Sequence, residues 1–222
     1  MNARLDLSVS RREFLKASGA LIISAGGPAF IAEAVAQAPA GVKPPLVPTE
    51  LDSWVAILPD GRVTAFFGKM DMGQSLDIAI AQIVADELDV AVDKVDVVMG
   101  DTALTCNQGG ASGSTGIQTG ARPLRSAAAE ARRLLVQSAS QKLGVPADQL
   151  RVDDGVVNAV SDPSKKASYA ELIGGRYFQH QVEWNKQTGN AMDIKVQAKP
   201  KSPSEYRVVG KSLTRRDLPG KV

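Results

Sequence analysis

Two long runs along the chain repeat apolar residues at helical spacing, and shorter apolar stretches of strand character lie between and around them. In the first run Leu76, Ala79, Ile80, Ile83, Val84 and Leu88 recur with the spacing of one buried helix face. In the second, Leu124, Ala127, Ala128, Ala131, Leu134, Leu135 and Leu143 do the same, and Gly144 with Pro146 supplies the stop. Residues 54–58 and 62–67 are β-prone and flank Pro59-Asp60-Gly61, a combination that predicts a hairpin. Val95–Met99 reads as a short buried strand, and Asp153-Asp154-Gly155 as a turn between two more.

Both helices end in related text, LDVAVDKVDV from Leu88 and LGVPADQLRV from Leu143, which suggests a weak internal repeat of helix, connection and strand or merely shared turn chemistry. The fold class expected is therefore α/β, with two helix-plus-strand units on a small mixed sheet, preceded by an export leader.

That leader is the chain's first chemical clue. Ser10-Arg11-Arg12-Glu13-Phe14-Leu15-Lys16 precedes an apolar, small-residue run, and Ala34-Val35-Ala36 has the spacing of a cleavage site. This is the twin-arginine pattern and predicts residues 1–36 as a signal peptide for a periplasmic or exported protein. A first surface helix would need polar residues spread through 17–30; a membrane anchor needs about 20 apolar residues without the Gly26-Gly27-Pro28 interruption, so a retained leader that associates the protein with the membrane stands as the lesser alternative. The twin-arginine route carries folded cargo, often with a cofactor already bound. Pro39, Pro44, Pro45 and Pro48 mark 37–50 as an extended linker.

The 222 residues carry a net charge of +2, with none of the basic excess that a phosphate backbone selects, so nucleic acid is not an expected partner. One cysteine, Cys106, and one histidine, His180, rule out an intrachain disulfide and a His/Cys metal cluster. Cys106 reads as a small buried hydrophobe and His180 as a surface residue. Glu87 and Glu130 are expected to face solvent, and Arg122 and Arg125 suit either a solvated helix face or the neutralisation of a phosphate. Alternation of Met192, Ile194 and Val196 within 189–201 predicts an edge strand that pairs with material outside this chain, with Lys195, Lys199 and Lys201 tolerating solvent.

Each helix is preceded by a glycine-containing polar loop: DMGQS at 71–75, and QGGASGSTG at 108–116. Helix N-termini present unpaired N–H groups and partial positive charge, so loops without bulky side chains let an anion reach the backbone. One such end contributes about 0.3–1 kcal/mol when exposed, so two that converge are far more useful than one. Ser112, Ser114 and Thr115 equally suit caps and local turns. Neither loop has the spacing of a phosphate loop or of a dinucleotide-binding turn.

From Trp54 onwards the chain resembles the molybdopterin-binding large subunit of the xanthine dehydrogenase and aldehyde oxidase family, and in particular exported members of the isoquinoline 1-oxidoreductase type. The likeness is carried by GKMDMGQS at 68–75, VVMGDT at 97–102 and QGGASGS at 108–114. It implies that Met72, Gly73, Gln74 and Ser75, with Gly109, Gly110, Ala111, Ser112, Gly113 and Ser114, contact a molybdopterin cofactor, as its cytosine dinucleotide, that brings the molybdenum. Ser75 stands where the family usually has glycine, suits a cap for the following helix and adds a side chain near the expected ligand; Ala111 stands where threonine is common.

The resemblance further implies a molybdopterin-binding domain over 51–185 and the truncated start of a following domain over 186–222. In the family the large subunit continues well beyond such a point and holds its catalytic glutamate there, so no catalytic residue is assigned and the chain is expected to be inactive alone. Expected partners are the remainder of the large subunit, a small iron–sulfur subunit and a small-molecule substrate, an N-heteroaromatic or an aldehyde. The alternative is a non-catalytic exported scaffold that binds a partner.

Overall fold

The computed structural model describes residues 46–173 and 176–216. The predicted leader, and the linker as far as residue 45, lie outside them. Strands β1 (Val55–Ile57) and β2 (Val63–Phe67) form the expected hairpin, with Val55 opposite Ala65. Its turn closes because Gly61 adopts φ +84° and donates to Leu58 O at 2.9 Å, while Asp60 accepts from the Arg62 N–H.

Helix α1 (Leu76–Leu88) then carries the chain over the sheet to β3 (Val95–Met99), which lies parallel to β2 with Val63 opposite Val95. The sheet order is β1-β2-β3. β2 is central and its Val63, Ala65, Phe66 and Phe67 are buried; β3 is an edge strand, so only its Val95 is fully buried, against the expectation of a buried strand.

Helix α2 (Ala121–Leu143) packs on α1 through Leu124, Ala127, Ala128, Ala131 and Leu135. It ends at Gly144, whose φ of +64° lets its N–H return to Ser140 O. The fold class is α/β as expected, but the two units do not share one sheet. β4 (Leu150–Asp153), β5 (Val156–Ala159) and β6 (Lys166–Ser168) form a separate antiparallel sheet, followed by the short helix α3 (Tyr169–Ile173). The two-residue turn Asp154-Gly155, both residues at positive φ, returns β4 directly into β5, so β4 takes a local partner. Strands β7 (Glu183–Trp184) and β8 (Ile194–Lys195) pair with each other, and Met192 and Ile194 join the main core. The predicted edge strand thus finds its partner within this chain.

Between Ala198 and Val209 the chain has no strand partner among the described residues, and buried carboxylates take its place. Glu130 accepts from Ala198 N at 2.8 Å, Glu87 from Lys201 N at 3.1 Å, and Asp86 from both Arg207 N and Val209 N at 2.8 Å. Glu87 and Glu130 therefore do not face solvent: they are 2% and 0% exposed. Their charges are met by Arg125 on Glu87 at 2.8 Å, Arg133 on Glu130 at 2.5 Å, and the His180 imidazole, which reaches Glu130 at 3.0 Å. Lys201, expected in solvent, is instead turned inward onto Asp89 and the Asp86 carbonyl. His180 is likewise half-buried rather than a surface residue.

Burial opposes ionisation of Glu130, yet the hydrogen bonds from Arg133 and Ala198, together with the charges of Arg133 and His180, hold its carboxyl below the usual glutamate value. A depressed carboxylate contributes its stability in full above the unfolded pKa and loses it as pH falls through the folded one. Glu130→Gln is therefore expected to cost about 3 kcal/mol at neutral pH in urea unfolding. The gap to wild type should narrow as pH falls below the ordinary glutamate value and close once it has fallen through the lowered folded one, where the wild-type carboxyl takes up its proton.

Candidate functional site

The site is built where β2 ends. A Cβ on Gly68 would stand 1.8 Å from Cys106 O, so only glycine lets the strand end lie against the start of the second loop. There the buried Gln108 side chain accepts from Gly68 N and donates to Gly120 O, both at 2.7 Å. The next residue, Lys69, is 1% exposed and sends its ammonium under the second loop to Gly110 O at 3.0 Å and Asn190 Oδ1 at 2.5 Å, with Thr115 Oγ1 at 3.4 Å. Burial lowers the pKa of this lysine. Cys106 is buried, as expected of a small hydrophobe.

The first loop is ordered from within. Asp71 Oδ1 accepts from the N–H groups of Gly73 and Gln74, Oδ2 from that of Leu76, and Gln74 Oε1 from that of Met72. Asp71, rather than Ser75, thus caps α1, and the backbone donors expected to await an external anion are held by the loop's own carboxylate. Ser75 makes no capping bond and sits at φ 60°, ψ 44°. That left-handed conformation costs a residue with a Cβ about 1–2 kcal/mol, which accounts for a preference for glycine here.

The second loop turns through Gly109 at φ +78°, Gly113 at +58° and Ser114 at +57°, and enters α2 by a π-type turn over Gly116–Gly120. Thr115 ties it internally, its N–H and hydroxyl both donating to Ser112 O. Ser112 and Thr115 thus serve the turn, in line with one of the two roles their residue types suit. Gly109 is pressed on the 189–190 turn: a Cβ there would lie 2.9 Å from Gly189 Cα, and Gly189 N donates to Asn107 O at 2.9 Å.

The two loops stand side by side. A Cβ on Gly116 would meet Leu76 Cδ2 at 3.1 Å, and Lys69 binds the second loop directly. Met72, Gly73, Gln74, Gly110, Ser112, Gly113 and Ser114 are exposed; Ser75, Gly109 and Ala111 are half-buried. Gly73, Gly110 and Gly113 look into open space, so bare backbone is presented on both loops. Arg122 is exposed. Arg125 is engaged by Glu87 and stacks 5.4 Å from the Tyr206 ring centre, away from any phosphate role. A groove of about 430 Å³ between Arg62, Asp93, Asp96, Leu213 and Arg216 includes neither loop.

Lys69, Gln108 and Asn190 were not anticipated as site residues. The first two lie inside the motif stretches 68–75 and 108–114, and that position was their one signal; Asn190 is remote in sequence and had none.

The sequence model of the family described as "Molybdopterin cofactor-binding domain" matches residues 27–210. The chain belongs to this family. Among relatives of the molybdopterin-binding chain, a subunit of the nicotinate dehydrogenase of Pseudomonas putida is 40% identical over 181 residues, 82% of this chain and 14% of that protein. The beta subunit of the isoquinoline 1-oxidoreductase of Brevundimonas diminuta is 31% identical over 242 positions, 96% of this chain and 30% of that one. The solved quinoline 2-oxidoreductase of Pseudomonas putida 86 superposes with a TM-score of 0.44 at 30% identity, covering 54% of this chain and 15% of that one. The likeness to molybdenum hydroxylases expected from the motifs is met, and the chain spans 14% and 30% of the two curated relatives.

Two substitutions check the loop geometry. Gly68→Ala should cost about 3 kcal/mol, since the clash is with backbone and cannot relax by a rotamer. Ser75→Gly should raise stability by about 1 kcal/mol by relieving the left-handed serine. Denaturant unfolding reads both.

Proposed function

We propose that this molybdopterin-binding chain forms the cofactor-facing part of a molybdenum hydroxylase subunit, with Met72–Ser75 and 109–114 lying along the pterin. The observation that supports this reading is the adjacency of the two motif loops, with bare glycine backbone on each. The residues fit such a group unequally. The second loop, with exposed Gly110 and Gly113 and the Lys69 ammonium behind it, suits an anionic edge. The first loop offers exposed Met72 and the open face of Gly73 for contact, while its N–H donors already serve Asp71 and Gly73 O accepts from Arg215 at 2.9 Å.

When bound, the cofactor supplies molybdenum redox chemistry. This chain's own residues supply position: Gln108 and Gly68 hold the strand end, and Asp71 keeps the first loop closed. The proposal extends to the cytosine dinucleotide form, to N-heteroaromatic or aldehyde substrates, to a small iron–sulfur partner subunit, and to twin-arginine export directed by residues 1–36. No carboxylate of this chain is assigned to catalysis, and turnover is proposed to need the remainder of the large subunit.

A second reading, an exported scaffold that binds a partner protein, draws on the self-satisfied first loop and on the exposed Met70, Met72 and Ile117. Metal and pterin analysis of the chain purified from a molybdenum-proficient exporting host separates the two. The cofactor reading expects molybdenum and pterin near one per chain. Their absence under good cofactor supply would support the scaffold. Co-expression with the remaining large-subunit portion and an iron–sulfur subunit should then yield oxidation of N-heteroaromatics or aldehydes with an artificial electron acceptor.

A further inference from the structure

Lys69 is a buried cation whose surroundings are unusual in one respect. Its three acceptors, Gly110 O, Thr115 Oγ1 and Asn190 Oδ1, satisfy the ammonium donors, but none of them is a carboxylate. Buried ammonium groups are costly, and they are ordinarily retained with a counter-charge. The stem of Lys69 passes Gly120 so closely that a Cβ there would lie 2.7 Å from both Cδ and Cε. The acceptors come from three separate places: the first turn of the second loop, its last turn, and the 189–190 turn. That 189–190 turn is itself pressed backbone to backbone on Gly109.

We propose that Lys69 is the positioning residue of the second loop, a charged latch that fixes 110–115 against the 189–190 turn. A residue present only to fill space would need neither the ammonium nor the channel past Gly120. The latch gains position rather than stability, since desolvation of the charge offsets much of what the three bonds contribute. The functional consequence rests on the cofactor reading: with the loop fixed, its open glycine faces are preorganised for a ligand, and the positive charge behind them is not cancelled by a bonded carboxylate.

Amide hydrogen exchange on the whole ligand-free chain tests the latch separately from cofactor binding. In Lys69→Met the stem is kept and the charge removed. The amides of Thr115, Gly189 and Met192 should then exchange at least about 10-fold faster, while those within α2 and β2 and the melting temperature hold or improve, because local opening is decoupled from global unfolding. Asn190→Asp places a carboxylate on the ammonium and should slow the same loop amides below wild type. Uniform acceleration with a fall in melting temperature in Lys69→Met would reduce Lys69 to a packing element and overturn the proposal. Unchanged loop exchange in Lys69→Met, or faster loop exchange in Asn190→Asp, would overturn it equally. Loss of pterin from a chain whose exchange behaves as expected would count against the cofactor reading alone.

Discussion

The buried amide of Gln108 holds the architecture of the site. By accepting from Gly68 N–H and donating to Gly120 O, it joins the end of the central strand to the start of α2, and the first loop follows the one fixed point while the second precedes the other. Both contacts run to backbone, so their geometry is set by main-chain position. Gly68 and Gly120 make room, the one for Cys106 O and the other for the Lys69 stem. Loss of the amide would leave the half-buried Gly68 N–H without this acceptor, at about 1–3 kcal/mol, and would remove the donor that Gly120 O receives from outside its helix.

The same logic recurs away from the loops. Asp86, Glu87, Glu130 and Asp52 each hold backbone N–H groups of segments that have no strand to pair with, Asp52 serving Phe178 and Gln179. Among the described residues no buried side-chain nitrogen or oxygen lacks a partner. A fully satisfied polar framework of this kind rigidifies what it touches and favours one arrangement over its competitors. Here it binds the stretch beyond residue 186, read from sequence as the opening of another domain, to the core that carries the loops. The same stretch touches both loop regions: Asn190 accepts from Lys69 beneath the second loop, and Arg215 donates to Gly73 O in the first.

Helix α1 was legible in the sequence to the residue, because Leu76 to Leu88 is periodic and bounded by polar text, and the hairpin was legible from Pro59-Asp60-Gly61. The family likewise followed from three short motifs. Periodicity failed on Glu87 and Glu130. Both sit in phase with the apolar stripes, Glu87 with Ile80 and Ile83, Glu130 with Ala127 and Leu134, and that phase was a usable sign of burial. Their partners Lys201 and Ala198 lie far along the chain, where no local pattern points. Ser75 misled for a different reason: a capping residue type stood at the capping position, but its left-handed backbone turns the hydroxyl away from that task, and Asp71 performs it from four residues earlier. The placement of β4 was hidden because a helix-then-strand pattern does not say which sheet receives the strand.

The central claim is that both loops line one side of a single bound pterin. Comparison of backbone amide chemical shifts between the chain purified with molybdopterin and the same chain freed of it reads this directly. The account predicts that residues 72–75 and 109–114 shift together, with Asp93 and Asp96, in the groove that includes neither loop, unmoved. Shifts confined to one loop, or centred on the groove, would contradict it.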